Sequence, residues 1–138
     1  MMGNIVNIKI ESYNGGLRCI EESIEDKQVL SIYPDGKIIW NRHYISYKNE
    51  EYSKQIERKI IKSSKAKFSE ITASILQYIY SKPEPHIICD GGNWEVYIKT
   101  NDGRLVNYGG CLGEENEFLN NATKIIKSIA GKDAWAFG

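Results

Sequence analysis

The sequence predicts an α+β fold, in which one antiparallel sheet is built from hairpins and two amphipathic helices pack on one of its faces. Three observations predict it. Strand-like runs cluster in the first half of the chain, two Asp-Gly turns each join a pair of strand-like runs, and two stretches carry apolar residues at helical spacing. The predicted element order is ββββ(β)αββα. A length of 138 residues is typical of one domain, so residues 1–138 are assigned to a single domain.

The first predicted hairpin begins with the strand Ile5 to Ile10, where Val6 starts an alternation of apolar residues along one strand face. Asn14-Gly15-Gly16 then supplies a turn, because these residue types tolerate positive φ. Leu17 to Ile24 is the predicted return strand.

The second predicted hairpin joins Val29 to Tyr33 with Lys37 to Ile45. Between them, Pro34-Asp35-Gly36 combines a fixed φ, an aspartate that bonds to nearby backbone, and a glycine that accepts a left-handed conformation. Glu57 to Ile61 is either a fifth strand or the approach to a helix.

The first predicted helix opens at Ser69-Glu70-Ile71, where the serine hydroxyl accepts a bond from a free backbone N–H and the glutamate suits the positive helix end. Its apolar stripe is formed by Ile71, Ile75, Leu76 and Ile79. Pro83 and Pro85 end the helix, since proline cannot donate to the helical ladder.

The last part of the chain predicts a third hairpin and a second helix. Trp94 to Lys99 and Arg104 to Tyr108 flank the turn Asn101-Asp102-Gly103, and Gly109-Gly110 is expected to stop the strand. The second helix is expected to have an N-cap, a buried apolar face and a glycine stop, which are Asn116, Phe118 to Ile129 and Gly131. Trp40, Trp94 and both helical stripes are expected to form the core.

The composition narrows the function classes. Lysine and arginine number 18, as do aspartate and glutamate, so the net charge of zero argues against a dedicated nucleic-acid binder. The basic stretch from Lys54 to Lys67 is interpreted as a solvated strand face and helix start. Neither a signal peptide nor a membrane span is predicted, and no cofactor is expected. The three cysteines, Cys19, Cys89 and Cys111, suggest free thiols and therefore a cytoplasmic protein.

A catalytic hypothesis comes from His86, Cys89 and Asp90, because a thiol nucleophile needs a base and the base needs an orienting group. In an extended segment, however, His86 and Cys89 point to opposite faces, and Cys89 follows two isoleucines as a small apolar residue would. The favoured interpretation is structural. A small cysteine- or histidine-dependent enzyme is kept as an alternative.

Two further site hypotheses have weak motifs. A zinc site from His43, His86, Cys89 and Cys111 lacks the regular ligand spacing of structural zinc, so no metal is predicted. The glycine-rich segments 90–93 and 109–113 lack a P-loop lysine, which makes turns the favoured interpretation and a small-ligand-binding domain the alternative.

Aromatic residues give the binding hypothesis. Nine tyrosines are present, and Tyr44, Tyr47 and Tyr52 cluster after Trp40. Tyrosine buries a large area at protein interfaces and keeps a polar tip. Trp135, in the tail that ends at Gly138, either packs back on the sheet or offers a docking segment. These three tyrosines and Trp135 are the predicted binding residues.

Three segments carry a resemblance: Tyr33-Pro34-Asp35-Gly36, Asn101-Asp102-Gly103 and the amphipathic stretch Phe118 to Ile129. In this order they resemble small uncharacterised bacterial α+β domains, which include immunity proteins of contact-dependent toxins. The resemblance implies a protein partner and inhibition by occlusion. Combined with the aromatic surface, it predicts a non-catalytic protein-binding module with neither nucleic acid nor membrane as partner.

Overall fold

The computed structural model describes residues 4–14, 24–48, 51–81 and 92–138. Within these ranges the elements are β1 (Ile5–Tyr13), β2 (Ile24–Ile32), β3 (Lys37–Lys48), β4 (Glu51–Lys62), α1 (Lys65–Ser81), β5 (Asn93–Thr100), β6 (Leu105–Cys111) and α2 (Glu117–Ala130). Neighbouring strands pair antiparallel in one sheet of order β4-β3-β2-β1-β5-β6. This confirms the predicted α+β class, with one antiparallel sheet and two helices in the predicted order.

The strand bounds differ from the prediction in the first half of the chain. β1 pairs with β2, with Ile8 opposite Ile32 and Tyr13 opposite Lys27. Of the predicted return strand Leu17 to Ile24, only Ile24 lies within the described residues, and there it begins β2. The segment Glu57 to Ile61, predicted as a strand or as the approach to a helix, is a strand and forms part of β4.

α1 begins four residues earlier than predicted. The backbone N–H of Lys67 donates to the Ser64 hydroxyl at 3.2 Å, so Ser64 and not Ser69 caps the helix. The reason lies outside the helix. Ser63 donates to the carbonyl oxygen of Gly36 through its backbone N–H at 3.0 Å and its hydroxyl at 2.7 Å, which fixes the chain just before the helix on the β2–β3 turn. The predicted start at Ser69 was wrong because this distant contact sets it.

The core lies between one face of the sheet and the two helices. Trp40 and Trp94 are both buried there, as predicted. The buried side chains of the helices are Phe68, Ile71, Ser74, Ile75 and Tyr78 in α1 and Leu119, Ala122 and Ile126 in α2. In α2 the predicted ends are confirmed, because Asn116 Oδ1 accepts from the backbone N–H groups of the first turn and Gly131 follows the last one.

β6 does not stop at Gly109-Gly110 but continues to Cys111. Gly110 is opposite Trp94 across the β5–β6 pair. A Cβ atom at position 110 would lie 2.5 Å from Cζ2 of the Trp94 ring. Glycine is therefore needed here to make room for the indole, and the expected strand stop is wrong.

Candidate protein-binding surface

The catalytic candidates His86, Cys89 and Asp90 lie outside the described residues, so the alternative of a small cysteine- or histidine-dependent enzyme is not tested. His43 and Cys111, the remaining zinc candidates, are described. They lie on β3 and β6, which are four strand spacings apart, or about 19 Å. The structure therefore does not bring them together on one ion. Among the described residues no group of three His, Cys, Asp or Glu side chains could hold a metal.

Cys111 is disulfide-bonded. The other two cysteines of the chain, Cys19 and Cys89, lie outside the described residues. The expectation of free thiols is thus wrong at Cys111, because the sequence shows an odd cysteine count but not which sulfur atoms meet. Disulfides persist in oxidising compartments, so the cysteines no longer support a cytoplasmic location. Among the described residues, no helix has the length and apolar character required to cross a membrane.

The second glycine-rich segment is not a phosphate-binding loop. Gly109 and Gly110 pair with Glu95 and Trp94 as strand residues, so their backbone belongs to the β5–β6 ladder. The Trp94 indole N–H donates to the Cys111 carbonyl oxygen at 3.1 Å, which further occupies this backbone. Of the first segment, residues 90 and 91 lie outside the described residues.

Of the three predicted tyrosines, the structure places one side chain. Tyr44 is half-buried on the helix side of β3, where the Arg42 guanidinium lies 5.6 Å from its ring centroid. With Gln55, Ile56 and Glu57 it lines a shallow hollow. Tyr47 and Tyr52 are backbone partners at the far end of the β3–β4 pair, and their side chains are not among those described.

Arg42 is held by carboxylates from three parts of the chain. Its Nε and Nη2 atoms donate to the two carboxylate oxygens of Glu25 at 2.8 Å each. Glu57 and Asp133 approach the same guanidinium at 3.9 and 4.0 Å. The hydrogen bonds to Glu25, together with its charge, outweigh desolvation and raise the pKa of Arg42 further. This guanidinium is permanently charged and lies beside Tyr44, so it can shape the surface there but does not take part in proton transfer near pH 7.

The tail packs back on the sheet, which decides between the two predicted roles. Gln28 is fully buried, and both the nitrogen and the oxygen of its side-chain amide bond to the tail. Its Nε2 donates to the Asp133 carbonyl oxygen at 2.8 Å, and its Oε1 accepts from the Trp135 backbone N–H at 2.8 Å. Phe137 is buried against the Trp94 ring, with centroids 4.8 Å apart.

Trp135 itself is half-buried and lines a hollow with Asn14, Leu112, Gly113 and Gly138. This hollow shares no residue with the hollow at Tyr44. The predicted binding residues Tyr44 and Trp135 are therefore described, but they belong to two separate concave surfaces.

The sheet face away from the helices carries a network of tyrosines and charged residues. Lys9 pairs with Glu11 at 3.3 Å and lies over the Tyr97 ring at 4.7 Å. Tyr13 donates to Glu11, and Tyr97 donates to Glu95 at 2.6 Å. The bond to Glu95 and partial burial raise the pKa of Tyr97 to about 12. Burial alone would raise the pKa of Glu11, but bonds from Tyr13 and Lys9 outweigh it, and this pKa is lowered. The charges in this network satisfy one another.

β4 is different, because it forms one edge of the sheet and is exposed. Every described side chain of the strand is exposed except that of Ile61, which is half-buried. Ile56 and Ile60 are 63% and 59% exposed, which is unusual for large apolar residues on a strand. Five residues at alternate positions share the side of β4 away from the helices, and we call them the basic edge: Lys54, Ile56, Arg58, Ile60 and Lys62.

The sequence interpretation of this segment was correct but incomplete. It placed the basic residues on a solvated strand face and helix start, and the exposed positions of Lys54 to Lys67 confirm that. It did not single out the alternation of cations with Ile56 and Ile60. The repeat Lys-x-Ile-x-Arg-x-Ile-x-Lys was the available signal, since period two predicts one shared strand face.

No family model matches the sequence, and no curated protein matches it.

Proposed function

We propose that this chain is a non-catalytic protein-binding domain that acts as an immunity protein, inhibiting a bacterial toxin by covering it. The observation that carries the proposal is the outer edge of β4, which pairs with no other described strand. A strand of 12 residues at a sheet edge offers a row of backbone donors and acceptors to another chain. Ile56 and Ile60 add exposed apolar area beside it.

The chemistry of the described polar groups supports binding over catalysis. Arg42 donates two hydrogen bonds to Glu25, and the phenol of Tyr97, whose pKa is raised to about 12, is protonated at neutral pH and donates to Glu95. These groups shape a surface, since none of them changes protonation near pH 7. His43 has a lowered pKa, mainly from burial and secondarily from the charge of Lys27, so it is neutral there.

The compartment is part of the proposal. The cytoplasmic location that the sequence predicts stays part of this proposal. The disulfide of Cys111 weighs against it, because cytosolic thiols are kept reduced. The free thiols of this protein are labelled in cell extract with and without prior reduction. A thiol count that rises on reduction shows a disulfide and indicates an oxidising compartment. A thiol count that does not change on reduction supports the cytoplasm.

The function is tested by co-expression with the product of the adjacent open reading frame. We expect the two proteins to co-purify as a stoichiometric complex, and we expect this chain to restore growth to cells that the neighbouring product arrests. An unrelated domain of similar size, expressed to the same level, is the negative control. A neighbouring product that neither binds this chain nor is neutralised by it would overturn the proposal.

A further inference from the structure

We propose that the basic edge binds an acidic, extended segment of the partner protein, which adds to the sheet as a strand beside β4. This inference rests on the proposed function, because it names the chemistry of the partner that the binding domain takes. The occupant is a strand with acidic and branched apolar residues at alternate positions. Its backbone pairs with the outer edge of β4, and its side chains pair with the basic edge.

Charge complementarity argues for an acidic occupant. The basic edge contains three cations and no carboxylate. The β3 residues paired with these positions add one more cation and again no carboxylate: Lys37, Ile39, Asn41, His43 and Ile45. Because His43 stays neutral, it does not alter this balance at pH 7. An acidic partner therefore complements Arg58 and Lys62.

The alternation of residues specifies the partner further. Ile56 and Ile60 flank Arg58, with Lys54 and Lys62 outside them. Opposite side chains in a strand pair lie about 5 Å apart, so an incoming strand matches this row with acidic, apolar, acidic, apolar and acidic residues. The order of cation and isoleucine reads the same from either end. The pattern thus suits a parallel or an antiparallel strand.

The opposite edge of the sheet does not offer the same features. β6 has 7 residues against the 12 of β4, and it includes Gly109 and Gly110. Its Leu105 is as exposed as Ile56, at 64%, but it stands alone among polar and half-buried neighbours. β4 is therefore the edge that favours strand addition, and Leu105 serves as a matched control.

The test uses a synthetic capped peptide in which glutamate and valine alternate on one side, with threonine between them. Its lysine-for-glutamate version is the control peptide. We expect the full-length protein to bind the glutamate peptide, measured by fluorescence anisotropy, and to bind it more weakly as salt is raised. Arg58→Glu is expected to weaken binding about tenfold, because the reversal replaces an attraction with a repulsion.

Matched variants test whether peptide binding depends on the basic edge or only on the net charge of the protein. Lys99→Glu makes the same change of charge at an exposed position of β5, four strands away, and should leave peptide binding unchanged. Ile56→Thr combined with Ile60→Thr should weaken binding about tenfold, whereas Leu105→Thr should not. These side chains are exposed, and thermal unfolding of each variant checks that the fold is kept.

Several outcomes would overturn the inference. Equal binding of the two peptides would refute the claim that the partner is acidic. Equal losses of affinity from Arg58→Glu and Lys99→Glu would refute the claim that the peptide binds at the basic edge. A single-stranded oligonucleotide that competes with the peptide and is indifferent to the isoleucine replacements would identify a polyanion site. Self-association abolished by Arg58→Glu would make a second copy the occupant. If the Arg58→Glu variant binds the neighbouring product with the affinity of the unchanged protein, the edge inference fails while the proposed function stands.

Discussion

Gly110 provides the sharpest test of how the core is packed. In Gly110→Ala the new methyl carbon would lie 2.5 Å from Cζ2 and 2.7 Å from Cε2 of Trp94. Carbon atoms in contact are normally about 3.5–4.0 Å apart, so the ring must move by about 1 Å. It has little freedom to do so, because the indole is fully buried, donates to the Cys111 carbonyl oxygen, and meets the rings of Tyr78 and Phe137 edge-on.

The expected cost has two parts. Overfilling a well-packed site costs about 1–3 kcal/mol. Disturbing the two aromatic contacts of Trp94 adds part of the roughly 0.5–1.5 kcal/mol that each such pair contributes. We therefore expect Gly110→Ala to lower the free energy of unfolding by about 2–4 kcal/mol, measured by urea denaturation followed through tryptophan fluorescence.

Gly109→Ala is the control for this measurement. A Cβ atom there would lie 3.5 Å from the Trp94 carbonyl oxygen and 3.7 Å from Cγ of Glu95, which are ordinary contacts. Both substitutions reduce the freedom of the unfolded chain alike, so their difference isolates the clash with the indole. Gly109→Ala should change stability by no more than about 0.5 kcal/mol. Equal stabilities for the two variants would refute the account of β6.

Three further predictions address the tail, α1 and the response to pH. Gln28→Leu should lower the free energy of unfolding by about 3 kcal/mol or more in urea denaturation, since it leaves several buried partners unsatisfied, while the same change at exposed Gln77 should cost little. Ser64→Ala should cost about 1 kcal/mol by thermal unfolding and Ser69→Ala close to none; the reverse order would restore the predicted helix start. Burial, then the charge and hydrogen bond of Glu114, raise the pKa of Tyr78 to about 12, above its unfolded value near 10. The stability from protonated Tyr78 is therefore complete below pH 10 and lost between about pH 10 and 12, so Tyr78→Phe should show a shallower decline in unfolding free energy across that window.

The parts of the fold that the sequence predicted correctly depend on short-range chemistry. The turns at Gly36 and Gly103 need positive φ and carry glycine after aspartate, so neighbouring residues determine them. The cap of α2 is equally local, because Asn116 bonds to N–H groups two and three residues ahead. Such features are visible in any window of a few residues.

The parts that were missed depend on contacts between distant residues. α1 starts at Lys65 because Ser63 is bonded to Gly36, 27 residues away. Gly110 was expected to end a strand, whereas its role comes from Trp94 on the neighbouring strand. No local pattern contains these pairings, since the register of the sheet has to be known first.

The candidate site shows the same division more strongly. Tyr44 and Trp135 were selected by residue type, and the structure places them in separate hollows because the tail is positioned by Gln28. A glutamine on a strand reads as a surface residue, yet here its amide is fully buried and binds the tail at Asp133 and Trp135. The buried amide of Gln28 thus holds the backbone of Trp135, which is one of the predicted binding residues.

The lysines of β4 bear on how an exposed edge avoids pairing with itself. A second copy of β4, centred on Arg58 in an antiparallel pair, would set Ile56 against Ile60 and gain apolar contact. The same register sets Arg58 against its own copy and Lys54 against Lys62, and like charges directly opposite one another destabilise a strand pair. Cations on an edge strand are a common protection against such association. On β4 they flank two exposed isoleucines, which a purely protective edge has no need of. The basic edge therefore disfavours pairing with a second copy of itself and favours pairing with an acidic strand. The same side chains thus support both solubility and specificity for the partner.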